Sequence, residues 1–90
     1  MLDNFFLSIE QGNYEQAELL IKNRTDEDLS DAILNFEYET EDISVLGFLI
    51  YMSDKTHKEF WNDIMIVLLL HVFNDMEGAY SLAYRYAKKM

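Results

Sequence analysis

Few residues in this chain could perform acid–base or nucleophilic chemistry. The 90-residue sequence contains two histidines and no cysteine. We interpret both histidines as structural, because His57 falls in a predicted first helical turn and His71 near the end of an apolar helix. No serine lies in a glycine-rich nucleophile elbow. The Asp and Glu residues occur in polar runs, whereas carboxylate catalysis needs two carboxylates in different environments. The sequence therefore indicates a protein that is not an enzyme.

The same residues provide no ligand set for a cofactor or a metal ion. A phosphate-binding loop and a dinucleotide fingerprint are both missing. A calcium loop has alternating oxygen ligands around a turn glycine and a terminal glutamate, and the stretches ETEDIS (39–44) and FNDMEG (73–78) do not fit this arrangement. We therefore expect no cofactor and no metal.

Three features predict a cytoplasmic protein without a membrane association. The absence of cysteine suits a reducing compartment. The N-terminal stretch MLDNFFLSIEQ has no basic region and no cleavage-site pattern of a signal peptide. The longest apolar run, Ile64–Leu70, is seven residues, whereas a membrane span needs about 20.

The negative charge is confined to the first half of the sequence. Residues 1–45 hold twelve acids and two bases, a charge of −10, whereas residues 46–90 hold five of each. Such a surface repels nucleic acid and anionic membranes, which both require cationic contacts. It attracts a basic protein and accelerates the encounter. The alternative is that the acids only keep a small protein soluble.

Apolar periodicity predicts an all-α fold, a single domain over 1–90 built as a compact bundle of about six short helices in hairpin-like pairs. Half of the residues are apolar and there is no proline, which favours helix and excludes disorder. The predicted helices cover 2–10, 14–23, 25–37, 44–53, 56–75 and 76–90, and 38–42 is predicted to be an exposed loop or a frayed helix end.

Several helix starts have recognisable caps. Asp3, Asn13, Thr25 and Ser44 are the predicted N-caps of the first four helices, and Thr56 with Glu59 forms a predicted capping box for the fifth. Gly47 either weakens its helix or permits another helix to approach closely.

The C-terminal stretch MEGAYSLAYRYAKK (76–89) resembles a motif of small helical immunity proteins from bacterial polymorphic-toxin and contact-dependent growth inhibition systems. The matching positions are Glu77, Gly78, Ala79, Tyr80, Ser81, Leu82, Ala83, Tyr86, Ala87, Lys88 and Lys89. With the apolar helices before it, the resemblance covers roughly residues 44–90. We interpret 76–90 itself as a packing element, because Ala79 and Ala83 are small and lie one helical turn apart.

The resemblance implies an immunity protein that binds and neutralises one cognate secreted toxin, often a nuclease. A nuclease is usually basic, because it must bind phosphates. We therefore expect the toxin contacts on the acidic half, where Tyr38 is an aromatic residue that is difficult to place in a core. The predicted partner-binding residues are Asp28, Asp31, Glu37, Tyr38, Glu39, Glu41 and Asp42.

Two other interpretations of the same sequence remain. One is a helical-repeat-like adaptor that binds peptides, although no repeat period is visible. The other is a homodimer in which residues 76–90 of two chains pair.

Overall fold

Five α-helices make up the part of the chain that the computed structural model describes, which is residues 2–75, 78 and 81–82. The helices are α1 Asp3–Glu10, α2 Tyr14–Leu20, α3 Asp26–Thr40, α4 Ile43–Thr56 and α5 Glu59–His71. These described residues form no β-strand, which confirms the all-α prediction. The predicted helix over 76–90 lies almost entirely outside them.

The second and third helices begin as their sequences predict. The Asn13 side chain accepts a hydrogen bond from the Gln16 backbone N–H at 3.3 Å, and Thr25 Oγ1 accepts one from the Asp28 backbone N–H at 3.1 Å. Each bond satisfies an N–H group that has no partner within its helix. The start of α1 differs, because Leu2 occupies the cap position and Asp3 is already the first helical residue.

The junction between α3 and α4 corrects two predictions. Residues 38–40 continue α3 to Thr40, so the loop predicted over 38–42 is limited to Glu41 and Asp42. The polar residues 38–40 are compatible with a helix because all of them are exposed. Asp42, and not Ser44, is the N-cap of α4, and its side chain accepts a hydrogen bond from the Ser44 backbone N–H at 3.0 Å.

The junction between α4 and α5 corrects another prediction. Thr56 belongs to the last turn of α4, where its hydroxyl donates to the Met52 carbonyl at 2.7 Å. Helix α5 instead has Lys58 at its cap position, without a side-chain cap bond. The predicted capping box of Thr56 and Glu59 was therefore wrong, because Thr56 ends α4 and does not precede α5 as its N-cap.

The core lies where α1, α4 and α5 meet, with α3 packed against α5. Phe48 of α4 is at its centre and is fully buried. The rings of Phe5, Tyr14 and Trp61 meet Phe48 edge to face, with centroids 5.3 to 5.9 Å away, an arrangement that aromatic rings favour. Trp61 is only 4% exposed and belongs to the same core.

Gly47 of α4 leaves room for the Tyr14 side chain of α2. A Cβ atom at this position would lie 2.6 Å from the Tyr14 hydroxyl oxygen, closer than non-bonded atoms tolerate. The absence of a side chain at 47 therefore allows the Tyr14 ring to lie across α4.

None of the helices among the described residues is both long enough and apolar enough to cross a membrane.

Candidate functional site

Helix α3 has two faces of opposite character. Leu29 and Ile33 are buried and lie four residues apart, so they mark the inward face. Because successive helical residues are rotated by about 100°, Asp28, Asp31 and Tyr38 project from the opposite side, and all three are exposed. Tyr38 is 56% exposed, as expected for an aromatic residue outside the core. The outward face of α3 is therefore acidic and carries one large aromatic ring.

A groove of about 810 Å³ lies between this helix and α1. Its charged lining consists of Asp3 and Glu10 from α1, Asp28 and Asp31 from α3, and Arg24. None of the four carboxylates forms an ion pair within the described part of the chain, where the one ion pair joins Lys55 to Glu18. We call this feature the acidic groove.

The floor of the acidic groove is apolar. Phe6 of α1 and Phe36 of α3 stack with ring centroids 3.8 Å apart and planes inclined by 9°, and both line the groove. Leu7 is 49% exposed beside them. An apolar floor surrounded by unpaired carboxylates suits the side chains of a cationic protein surface, because long basic side chains combine an apolar stem with a charged end.

The acidic groove continues into the turn between α3 and α4. Glu10 lies close enough to Asp42 to affect its ionisation. The hydrogen bond from the Ser44 side chain, 2.6 Å long, is the largest cause that lowers the pKa of Asp42, and Glu10 lowers it further against the opposing effect of burial. Asp42 therefore stays charged, and negative charge extends from the groove to Glu41 and Asp42.

Glu37 does not belong to this exposed surface. It is fully buried, at 0% exposure, and neither carboxyl oxygen has a hydrogen-bond partner among the residues that the structure describes. Burial, and then the negative charge of Asp42, raises the pKa of Glu37 from 4.5 to about 8, with a smaller contribution from Glu41. The Asp42 backbone N–H opposes the shift, but without hydrogen-bond geometry. Near neutral pH, Glu37 is therefore mostly uncharged.

The predicted partner-binding residues thus fall into three groups. Asp28 and Asp31 line the acidic groove, Tyr38 and Glu39 lie on the exposed face of α3 beyond it, and Glu41 and Asp42 form the following turn. Glu37 is the correction, because it faces the interior and has no surface to offer a partner. Residue type alone does not distinguish Glu37 from the exposed acids. Its position four residues after Ile33 does, because residues four apart lie on the same face of a helix.

Sequence reasoning missed the contribution of α1. Asp3 and Glu10 complete the groove, and Phe6 and Leu7 supply its apolar surface. The sequence NFFLSIE indicates this surface, because Phe5 and Ile9 form the buried face of α1 and Leu7 lies outside it. An apolar residue off the buried stripe, between two acids, is consistent with an exposed binding surface.

No three acidic or histidine side chains of the described residues come together in a way that could hold a metal ion.

No protein-family model, curated protein or solved structure matches the chain. The motif of residues 76–89 lies largely outside the described residues, although Leu82 packs against the core.

Proposed function

We propose that the protein binds a basic partner protein through the acidic groove, and that this partner is a secreted bacterial toxin, which the bound protein neutralises. The observation that carries the proposal is the set of four carboxylates around an apolar floor between α1 and α3, none of which forms an ion pair with another described residue. The residues that resemble immunity proteins suggested a toxin as the partner, and the groove adds a surface suited to a basic one.

A basic nuclease is the class of toxin that fits this surface best. An enzyme that cleaves nucleic acid needs cationic side chains to hold phosphates. Carboxylates presented at a protein surface can occupy the same cationic side chains. Under this proposal the inhibitor acts by binding alone and needs no chemistry of its own.

Charge and apolar contact have separate roles in such a complex. The net charge of −10 attracts a basic partner over a distance of about one Debye length, roughly 8 Å at physiological ionic strength, and mainly raises the association rate. Leu7 and Tyr38, which are 49% and 56% exposed, bury apolar area on contact and mainly lengthen the lifetime of the complex.

The C-terminal end of α3 supports the proposal independently. Its last turn contains no basic residue, and Glu39 and Glu41 are acids near the negative end of the helix dipole, where acids are unfavourable. A sequence that breaks a local rule without a compensating contact often does so at a functional site. Cationic side chains of a bound partner would supply the missing compensation.

Affinity capture from a lysate of the source organism tests the proposal, with mass spectrometry of the eluted proteins. Three baits are compared at low and moderate salt: the unchanged protein, a groove variant with Glu10→Lys and Asp31→Lys, and a control variant with Asp63→Lys and Asp75→Lys. Both variants change the net charge by the same amount at exposed positions. Asp63 and Asp75 do not line the acidic groove.

We expect the unchanged protein and the control to recover one large, basic, secreted protein, and the groove variant to lose it. With the purified partner, we expect the groove variant to associate more than about tenfold more slowly at low salt than the control. Equal association rates for the two variants would exclude the acidic groove as the contact surface. Recovery of several unrelated proteins would favour the adaptor, and recovery of the chain itself would favour the homodimer.

A further inference from the structure

All four lysine and arginine residues of the described chain line a single second cleft. Lys22 and Arg24 follow α2, Lys55 is in the last turn of α4, and Lys58 precedes α5. The cleft has a volume of about 590 Å³. We call it the cationic cleft. It shares only Arg24 with the lining of the acidic groove.

The cationic side chains of this cleft are only partly neutralised. Lys55 donates a hydrogen bond to Glu18 at 2.7 Å, which is the one ion pair among the described residues. Lys22, Arg24 and Lys58 have no such partner. The remaining acids of the lining are Glu15 and Asp26, so one positive charge is left in excess. The lining therefore concentrates positive charge in a chain whose net charge is −10.

The inner wall of the cationic cleft is apolar. Leu29, Met52 and Trp61 line it, and each is no more than 5% exposed. Leu19 stands at the rim and is 64% exposed. A ligand in the cleft would therefore meet basic groups around its edge and apolar side chains beneath them.

We propose that the cationic cleft binds a small organic anion that carries one negative group on an apolar or aromatic body. A volume of about 590 Å³ is typical of small-molecule sites, which span roughly 300–1,000 Å³. The small size also follows from the charge. An acidic protein or a nucleic acid would be repelled by the net charge of −10, whereas a single anionic group is repelled far less and can contact only the local cations.

Trp61 provides a direct report on the site, because it lines the cleft and is the single tryptophan of the protein. The probe is 4-phenylbutanoate, compared with 4-phenylbutanamide and 4-phenylbutylamine, which have the same body and carry no charge or a positive charge. Titration into the full-length protein is followed by Trp61 fluorescence and by calorimetry. We expect saturable binding of the carboxylate, about tenfold tighter than the amide, and no binding of the amine.

Two variants locate the binding. The cleft variant combines Lys22→Gln with Lys58→Gln, and the control combines Gln11→Glu with Asn35→Glu. Both lower the net charge by two at exposed positions, and neither control residue lines the cleft. We expect the cleft variant to lose at least about tenfold in affinity and the control to stay within about twofold.

Equal binding of the carboxylate and the amide would overturn the proposal, as would equal losses in the two variants. Both variants are first shown by thermal melting to remain folded. A failure of this test leaves the acidic groove unaffected, because neither Lys22 nor Lys58 lines it.

Discussion

Helices α3 and α4 end in the same backbone conformation but differ in the charges near their ends. Their C-cap residues, Glu41 and His57, both adopt the left-handed conformation, with φ of 51° and 57°. Glycine usually occupies this position, because an L side chain is strained there. The charged residues within two or three positions of the first corner are all acids, Glu39 and Asp42 among them, whereas Lys55 and Lys58 flank the second, together with Asp54 and Glu59. We call them the acidic corner and the basic corner.

The basic corner follows the electrostatic rules of a helix end, whereas the acidic corner breaks them. Lys55 lies in the last turn of α4, where a positive charge interacts favourably with the helix dipole. The last turn of α3 has only acids near it. The charges at the acidic corner therefore do not favour the stability of the isolated protein, which agrees with a role in binding a cationic partner.

The buried polar groups near the two corners differ in whether they are hydrogen-bonded. Close to the basic corner, the Ser53 hydroxyl donates a hydrogen bond to the Asn62 side-chain oxygen, and both residues are buried. Close to the acidic corner, buried Glu37 has no partner for either carboxyl oxygen. An unsatisfied buried polar group costs about 1–3 kcal/mol, so the acidic corner contains a second unfavourable feature.

The largest expected effect on this comparison comes from Glu37→Gln. The folded-state pKa of about 8 lies above the unfolded value of 4.5. The stability that the uncharged Glu37 carboxyl contributes is therefore fully present below pH 4.5. As the pH rises to about 8 this contribution is lost, and the free energy of unfolding falls by up to about 1.4 kcal/mol per pH unit. We expect the variant to lose less stability than the unchanged protein between pH 5 and pH 8, measured by urea unfolding at each pH.

Glu39→Gln is the matched control for this experiment, because it removes an exposed carboxylate two residues away on α3. We expect its pH profile to parallel that of the unchanged protein. If Glu37→Gln followed the same profile, the uncharged state of Glu37 would be disproved.

The next largest effect is expected from glycine substitutions at the two left-handed residues, Glu41 and His57. We expect Glu41→Gly to stabilise the protein by about 1 kcal/mol and His57→Gly by about 0.5 kcal/mol, because glycine relieves the backbone strain at both corners. Glu41→Gly gains more because it also removes an acid from the negative end of α3. Thermal unfolding of both variants measures the difference, and Glu41→Gln measures the charge part alone. A larger gain at His57 would contradict the electrostatic distinction between the corners.

The smallest effect concerns the charges of the last helical turns. We expect Glu39→Gln to stabilise the protein by about 0.3 kcal/mol and Lys55→Gln to destabilise it, since Lys55 also bonds Glu18. Both effects should shrink in 1 M NaCl, because salt screens exposed charges. Chemical unfolding at the two salt concentrations distinguishes them, and effects of the same sign would remove the contrast between the corners.

The sequence predicted the helices of the described chain well, because their apolar spacing and two of their caps are local signals. Asn13 and Thr25 cap their helices as expected. The helix ends at Glu41 and His57 were not predictable, because neither residue favours a left-handed conformation as glycine does.

The candidate site was predictable only in part. Asp28 and Asp31 could be assigned to an exposed face of one helix, but the pairing of that face with α1 depends on tertiary packing. Glu37 shows the other limitation. Its spacing from Leu29 and Ile33 indicates the interior, whereas its charge indicates the surface, and in the structure the helical spacing prevails.

The contact between Gly47 and Tyr14 also governs the order in which substitutions can accumulate in this protein. Alanine is the better helix former, but its Cβ atom would meet the Tyr14 hydroxyl oxygen at 2.6 Å. With phenylalanine at position 14 the next atom, the ring carbon Cζ, lies 3.7 Å away, an ordinary contact distance. Tyr14→Phe removes the atom that Gly47→Ala would displace, so the alanine substitution requires less rearrangement after Tyr14→Phe than before it.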